Sequence, residues 1–112
     1  QQSSMGRSLP RLKDGVFQLA MIEVAGEVLT GYGLPGSPAQ SVMYGILELD
    51  YPQPDLVISG INYGENMGTG STISGTVGAA LQAADMGVPA LAVSLETDRA
   101  FHYKYGEVDW HV

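Results

Sequence analysis

The residues whose types best suit chemistry lie in one glycine-rich stretch between positions 60 and 76. Asn62 and Asn66 are the only asparagines among the 112 residues of the chain. An amide oxygen is a hard, neutral ligand that suits Mg²⁺, Mn²⁺ or Ca²⁺, although it holds these ions poorly without carboxylates nearby. Loops also attract asparagine for turn formation. On these residues alone, cation ligand and turn residue therefore both stay open.

A second chemical feature follows at Ser74-Gly75-Thr76, where a predicted helix begins. The first turn of a helix offers unpaired N–H groups and the positive end of the helix dipole, and here two hydroxyls lie within one turn. Together these groups suit a phosphate. The alternative is that Ser74 only caps the helix while Gly75 permits close packing. The stretch contains no lysine, so it is not a P-loop.

The elements around this stretch predict how it is held. Residues 56–59 form a short apolar run typical of a strand, positions 76–86 have the spacing of a helix that Gly87 ends, and residues 90–95 form a second apolar strand. This order of strand, helix and strand predicts a right-handed βαβ unit, in which the two strands are parallel. Ligands of such sheets bind beyond the carboxyl ends of the strands, which is where the glycine-rich stretch begins.

The preceding part of the chain predicts a β-hairpin and a helix. Residues 16–24 and 27–30 are rich in branched and aromatic side chains and are separated by Ala25-Gly26. Ser37-Pro38 then supplies an N-cap and a proline at the first helical position, which predicts a helix from about residue 37 to 49. The two prolines at 52 and 54 cannot continue it.

The composition excludes several classes of protein. A chain of this length can bury one core. The absence of cysteine excludes a disulfide scaffold, an iron–sulfur cluster and a cysteine nucleophile. A formal charge of -7 with only 5 Lys+Arg argues against a nucleic acid polymer as partner. No apolar run approaches the roughly 18 residues that span a bilayer. We therefore expect no membrane partner and a cytoplasmic location.

Two other patterns carry less information. Residues 31–36 form a literal G-x-G-x-x-G, but Pro35 removes an N–H from the loop and the strand before it is predicted to belong to a hairpin. A turn is therefore favoured over a dinucleotide site. The two histidines, His102 and His111, lie near the end of the chain without a recognisable Ser and Asp spacing, so no catalytic triad is predicted.

A family resemblance covers residues 1 to about 95. Residues 55–68, with the sequence Asp-Leu-Val-Ile-Ser-Gly-Ile-Asn-Tyr-Gly-Glu-Asn-Met-Gly, closely resemble the SurE family of stationary-phase survival proteins, which are metal-dependent 5′/3′-nucleotidases. Residues 74–80 and 87–95 are similar to the family's next helix and strand, in order and without a gap. Residues 36–42 resemble its Gly-Thr-Pro-Ala-Asp-Cys-Val helix start, with Gln40 in place of Asp, and residues 2–4 resemble the end of its Pro-Asp-Arg-x-x-Ser-Gly motif.

The resemblance implies a three-layer, Rossmann-like α/β fold with a parallel sheet, and it implies roles for individual residues. Ser3 and Asn62 stand at the family's serine and asparagine metal ligands, so a divalent cation (Mg, Mn or Ca) is expected. Asn66, Ser74, Gly75 and Thr76 match the segment around the substrate phosphate. Ser4 replaces the glycine that usually follows the metal serine.

The family also has parts that this sequence lacks. A SurE protein opens with a strand leading to Asn-Asp-Asp-Gly, whose aspartates are metal ligands and include the expected catalytic group, and no Asp-Asp occurs here. Nor does the sequence start with Met. We therefore expect residues 1–112 to be the central part of a single SurE-like domain, with the Asp-Asp pair upstream of Gln1 and a C-terminal part also absent.

The resemblance implies a phosphatase that cleaves nucleoside 5′- and 3′-monophosphates, with the metal polarising a phosphoryl oxygen and orienting the attacking oxygen. It also implies a homodimer or homotetramer of the full-length protein. Two alternatives stay open: a non-catalytic domain that binds nucleotides or other anions, and a dinucleotide-dependent oxidoreductase that uses residues 31–36.

Overall fold

A computed structural model describes residues 5–10 and 17–97 of the chain. The elements within these residues are two strands, a helix, a third strand, two helices and a fourth strand. In chain order they are β1 (Gln18–Val24), β2 (Glu27–Gly33), α1 (Pro38–Leu47), β3 (Val57–Tyr63), α2 (Gly70–Ile73), α3 (Gly75–Asp85) and β4 (Ala90–Leu95). The predicted α/β class, with a hairpin followed by parallel strands, is confirmed.

Strands β1 and β2 form the predicted antiparallel hairpin. Ala25 and Gly26 turn the chain with φ of 50° and 80°, the positive pair that a two-residue type I′ turn needs. β2 runs on to Gly33, three residues beyond the prediction, so the first two glycines of the G-x-G-x-x-G pattern lie inside an antiparallel strand. A dinucleotide fingerprint instead follows a parallel strand.

The hairpin is joined to the segment after α1 by an aromatic contact. The hydroxyl oxygens of Tyr32 and Tyr51 lie 2.9 Å apart, and the two rings meet edge to face. This hydrogen bond is the main cause that raises the pKa of the Tyr32 hydroxyl. The contact joins β2 to the segment that follows α1.

Helix α1 begins as the sequence predicted. Ser37 Oγ accepts a hydrogen bond from Gln40 N, and the Gln40 side chain accepts one from Ser37 N, which completes a capping box. Both residues are buried. The helix ends at Leu47 with Glu48 as C-cap, two residues earlier than predicted.

Replacing Ser37 by Ala is expected to lower the free energy of unfolding of the full-length protein by about 1–2 kcal/mol, because α1 loses its N-cap acceptor. The buried Ser37 hydroxyl also donates to Ser8 O, at 2.5 Å. Urea denaturation measures the loss. The matched control is Ser41→Ala, which removes a hydroxyl bonded only to the helix backbone. Equal effects of the two substitutions would contradict the capping role.

Strands β3 and β4 form a parallel pair, with Val57 opposite Ala90 and Tyr63 opposite Leu95. β3 was predicted to stop at residue 59, and this was wrong by four residues. The composition of residues 60–63 indicates a loop, but pairing of Asn62 with Ser94 continues the ladder after a register shift. Long-range pairing, which local composition does not encode, therefore decides where β3 ends.

Helix α3 connects β3 to β4 and contacts both strands as well as α1. It begins at Gly75, one residue before the prediction, and Gly87 follows its C-cap with a φ of 83°, as predicted. The small core of the described residues consists of Ala39, Ala79, Ala83 and Val88. Among the described residues, Ile58 on β3 and Leu91 on β4 are 64% and 52% exposed.

Candidate functional site

Asn62 lies near the carboxyl end of β3, one residue before the strand ends. Its Nδ2 donates to the backbone oxygens of Tyr63, at 3.3 Å, and Gly64, at 2.8 Å. These two bonds determine which end of the amide is the oxygen and hold the side chain against its own strand end. The half-buried Asn62 amide is thus oriented by the backbone that follows it.

Thr76 lies in the first turn of α3 and forms a hydrogen bond with the Asn62 amide. Its Oγ1 donates to Asn62 Oδ1 at 3.2 Å. An amide oxygen has two acceptor positions, and the Thr76 hydroxyl uses one of them. The bond joins the carboxyl end of β3 to the amino end of α3, so two residues that the sequence predicted to act on different groups meet at one place.

Ser74 is the N-cap of α3. Its Oγ accepts a hydrogen bond from Val77 N at 3.2 Å, and its carbonyl oxygen accepts one from Gly78 N at 2.9 Å. Ser74 therefore caps the helix through its side chain. The first-turn N–H groups of Gly75 and Thr76 have no partner within their own helix by the geometry of any helix start. Capping by the side chain and anion binding by the backbone are compatible there.

Asn66 is held by a residue that the sequence did not single out. Its Nδ2 donates to Ser94 Oγ at 2.6 Å, across 28 positions of sequence. Ser94 lies opposite Asn62 in the parallel pair, near the carboxyl end of β4. Its signal in the sequence was weak but present: it is the one polar side chain in the otherwise apolar strand of residues 90–95. Both asparagines are thus tied to the same edge of the sheet.

The remaining predicted ligand, Ser3, lies outside the described residues, as do both histidines. Among residues 5–10 and 17–97, no group of three His, Asp or Glu side chains is close enough to hold a metal ion. The described part of the chain thus brings together Asn62, Thr76 and Ser74 at one end of the sheet and Asn66 beside Ser94. These groups supply N–H donors, which suit an anion, and neutral oxygens, which suit part of the ligand set of a hard cation.

Comparison with known proteins assigns the chain to a family. The family described as survival protein SurE matches residues 1–110. The chain belongs to the SurE family. The match covers nearly the whole sequence, including the candidate site residues on β3, α3 and β4.

Individual SurE proteins give the same assignment. The 5′-nucleotidase SurE of Methanocaldococcus jannaschii is 39% identical over 109 residues, which cover 97% of this chain and 40% of that protein. The 5′-nucleotidase SurE of Methanothermobacter thermautotrophicus is 43% identical over 115 residues, 98% of this chain and 42% of that protein. The chain therefore spans about two fifths of the length of these SurE relatives.

The fold is shared with a solved SurE structure. The crystal structure of the SurE protein from Aquifex aeolicus matches 87% of this chain and 37% of that protein, with a TM-score of 0.61 and 33% sequence identity. This similarity confirms the SurE-like α/β fold. No helix in the described part of the chain has the length and hydrophobicity needed to cross a membrane.

Proposed function

We propose that this chain is part of a metal-dependent phosphatase that hydrolyses nucleoside 5′-monophosphates, and also 3′-monophosphates, to nucleoside and phosphate. The observation that carries the proposal is the Thr76–Asn62 hydrogen bond, which joins an oriented amide oxygen to the start of α3. The relatives named 5′-nucleotidase SurE support the substrate class.

The side-chain oxygen of Asn62 is a suitable ligand for a divalent cation. Its Nδ2 is engaged by two backbone carbonyls, so its Oδ1 faces the start of α3 and offers a hard oxygen. One amide binds a cation weakly, so the proposal includes Ser3 and an Asp-Asp pair upstream of Gln1 as further ligands. Mg²⁺, Mn²⁺ and Ca²⁺ all accept such oxygen ligands.

The phosphate would lie at the amino end of α3. The N–H groups of Gly75 and Thr76 would donate to its oxygens, while the Ser74 side chain keeps the helix start in place through Val77 N. Asn66, held by Ser94, would bind the phosphate from the side of the sheet. These groups orient the phosphate relative to Asn62.

The bound cation would polarise a phosphoryl oxygen and lower the pKa of the attacking water. In this proposal, the described residues bind and orient the cation and the phosphate. The catalytic carboxylates belong to the upstream Asp-Asp pair. The cytoplasmic location and the homodimeric or homotetrameric state expected of SurE proteins are part of the same proposal.

Phosphate release from AMP by the full-length protein tests the proposal. We expect release with Mn²⁺ or Mg²⁺, from 5′-AMP and 3′-AMP alike, and loss of release when EDTA removes the metal. A protein that binds AMP but releases no phosphate with any of the three cations would instead be the non-catalytic binding domain, and the proposed activity would be wrong.

Substitution of Ser94 by Ala is expected to raise the KM for AMP about threefold to tenfold while kcat changes less, because Asn66 loses the partner that orients it. Steady-state kinetics at saturating Mn²⁺ measure both constants. The control is Thr30→Ala, which removes an exposed hydroxyl from the hairpin. An unchanged KM would contradict a positioned Asn66.

A further inference from the structure

The first residues of α1 and α3 lie against each other. Pro38 begins α1 and Gly75 begins α3. A Cβ on Gly75 would lie 2.8 Å from Cγ of the Pro38 ring and 3.4 Å from its Cδ. The first distance is shorter than the contact of about 3.5–4.0 Å that carbon atoms prefer. The proline ring thus fills the space beside Gly75, and only a glycine at position 75 allows the two helices to come this close.

The Pro38 ring is held in a fixed place. A proline ring is closed onto its own backbone, so it cannot turn away from Gly75 as a flexible side chain would. Its neighbours Ser37 and Ala39 are both 0% exposed, and Ser37 belongs to the capping box of α1. Close packing leaves such residues little room to move. A methyl group added at position 75 would therefore displace the half-buried first turn of α3.

Residues 6–8 join the same two helix starts a second time. Gly6 N donates to Ile73 O at 2.7 Å, just before the N-cap of α3. Two residues later, Ser8 O accepts a hydrogen bond from the Ser37 hydroxyl at the N-cap of α1. The contact between the two helix starts is therefore supported by a backbone bridge that limits their separation.

The contact reaches the candidate site through Gly75 and the residue that follows it. Thr76 donates its hydroxyl to Asn62 Oδ1 at 3.2 Å. The Cβ position of Gly75 lies on the side of α3 that faces Pro38, whereas first-turn N–H groups point along the helix axis beyond its amino end. Gly75 can thus pack against the proline ring and still donate its N–H to an anion.

We propose that Pro38 is a positioning residue for the substrate phosphate, because its ring sets where Gly75 and Thr76 present their N–H groups. This inference rests on the proposed function, in which those N–H groups bind the phosphate. A displacement of binding groups by about 1 Å can lower a rate about 100-fold. The inference also explains the glycine at position 75 by a contact within the protein.

The alternative is that position 75 is a glycine because the phosphate itself needs the space of a Cβ. The two explanations differ in what removal of the Pro38 ring does. If the ring fills the space, its removal makes room for an alanine at position 75. If the phosphate fills the space, an alanine there is equally harmful with or without the ring.

A double-substitution cycle in the full-length protein tests the inference, with steady-state kinetics on AMP at saturating Mn²⁺. Gly75→Ala is expected to raise the KM about tenfold, since hydrogen bonds from displaced N–H groups to a charged phosphate weaken. Pro38→Ala removes Cγ and Cδ but keeps Cβ, which lies 3.6 Å from the Cβ position of residue 75, an ordinary contact. The double variant should therefore have a KM about threefold or more below that of Gly75→Ala.

The single variant Pro38→Ala measures positioning without an added group. We expect it to raise the KM for AMP and the inhibition constant of inorganic phosphate about threefold each, because the start of α3 loses its support. The melting temperature should fall by no more than about 4 °C. A purely structural role would reduce the amount of folded enzyme and leave the KM of the folded fraction unchanged. Pro52→Ala, at an exposed proline after α1, is the matched control and should keep the wild-type KM.

The outcomes separate this inference from the proposed function. Equal KM values for Gly75→Ala and the double variant, or a wild-type KM for Gly75→Ala, would overturn the positioning role while wild-type phosphate release still supports the nucleotidase. If Gly75→Ala does not fold, the KM of Pro38→Ala decides: a raised value supports positioning and a wild-type value overturns it. A wild-type protein that releases no phosphate would overturn both.

Discussion

Asn62→Ala is expected to lower kcat/KM for AMP by about 100-fold at moderate Mn²⁺ concentration, since loss of groups that merely orient metal ligands already costs about 10- to 100-fold. The substitution removes the oxygen that Thr76 holds in place, and it removes the Nδ2 group that donates to the Tyr63 and Gly64 carbonyls. Initial rates measured over a range of Mn²⁺ concentrations should show that part of the loss returns when the metal is raised.

Two further substitutions sharpen this result. Asn62→Asp keeps an oxygen at the position of Oδ1 and adds a charge, so it should retain more metal affinity than Asn62→Ala. Gln53→Ala removes an exposed amide between the two prolines after α1 and should leave the rate unchanged. A rate for Asn62→Ala within threefold of the wild type would show that this amide is a turn residue.

Gly78→Ala is expected to destabilise the full-length protein by about 2–3 kcal/mol, because the added Cβ meets the backbone of Gly6 and Arg7 and the neighbours must move. The effect opposes intrinsic propensity, which favours Ala over Gly inside a helix by about 1 kcal/mol. Urea denaturation at fixed protein concentration measures the change.

Gly45→Ala provides the matched control. Gly45 lies inside α1, and a Cβ there would have no atom within 4 Å. This substitution should stabilise the protein by about 0.5–1 kcal/mol, since helix propensity acts without a clash. If both substitutions stabilise equally, the close approach of Gly6 to Gly78 is wrong.

The parts of the fold set by local rules could be predicted from the sequence. Ser37-Pro38 specified the start of α1, Gly87 specified the end of α3, and the apolar run of residues 90–95 became β4 without change. Each of these signals acts through neighbouring residues: a side chain that caps, a backbone that takes positive φ, or a pattern of apolar side chains.

The parts that depend on distant contacts could not be predicted. β3 extends to Tyr63 because it pairs with β4, so Asn62 lies on a strand and not in the loop that its glycine neighbours indicated. Ser94 holds Asn66 across 28 positions, and no local pattern connects them. Gln40 likewise had no evident role in the sequence, because its side chain donates to Pro10 O, 30 positions earlier in the chain.

The central claim is that the carboxyl end of β3 and the amino end of α3 form a metal and phosphate site. Anomalous diffraction from crystals of the full-length protein grown with Mn²⁺ and phosphate tests it most directly. We predict an anomalous peak about 2.0–2.4 Å from Asn62 Oδ1, with Ser3 as a second ligand and phosphate density at the N–H groups of Gly75 and Thr76. A peak elsewhere in the molecule, with Asn62 bonded only to protein, would contradict the claim.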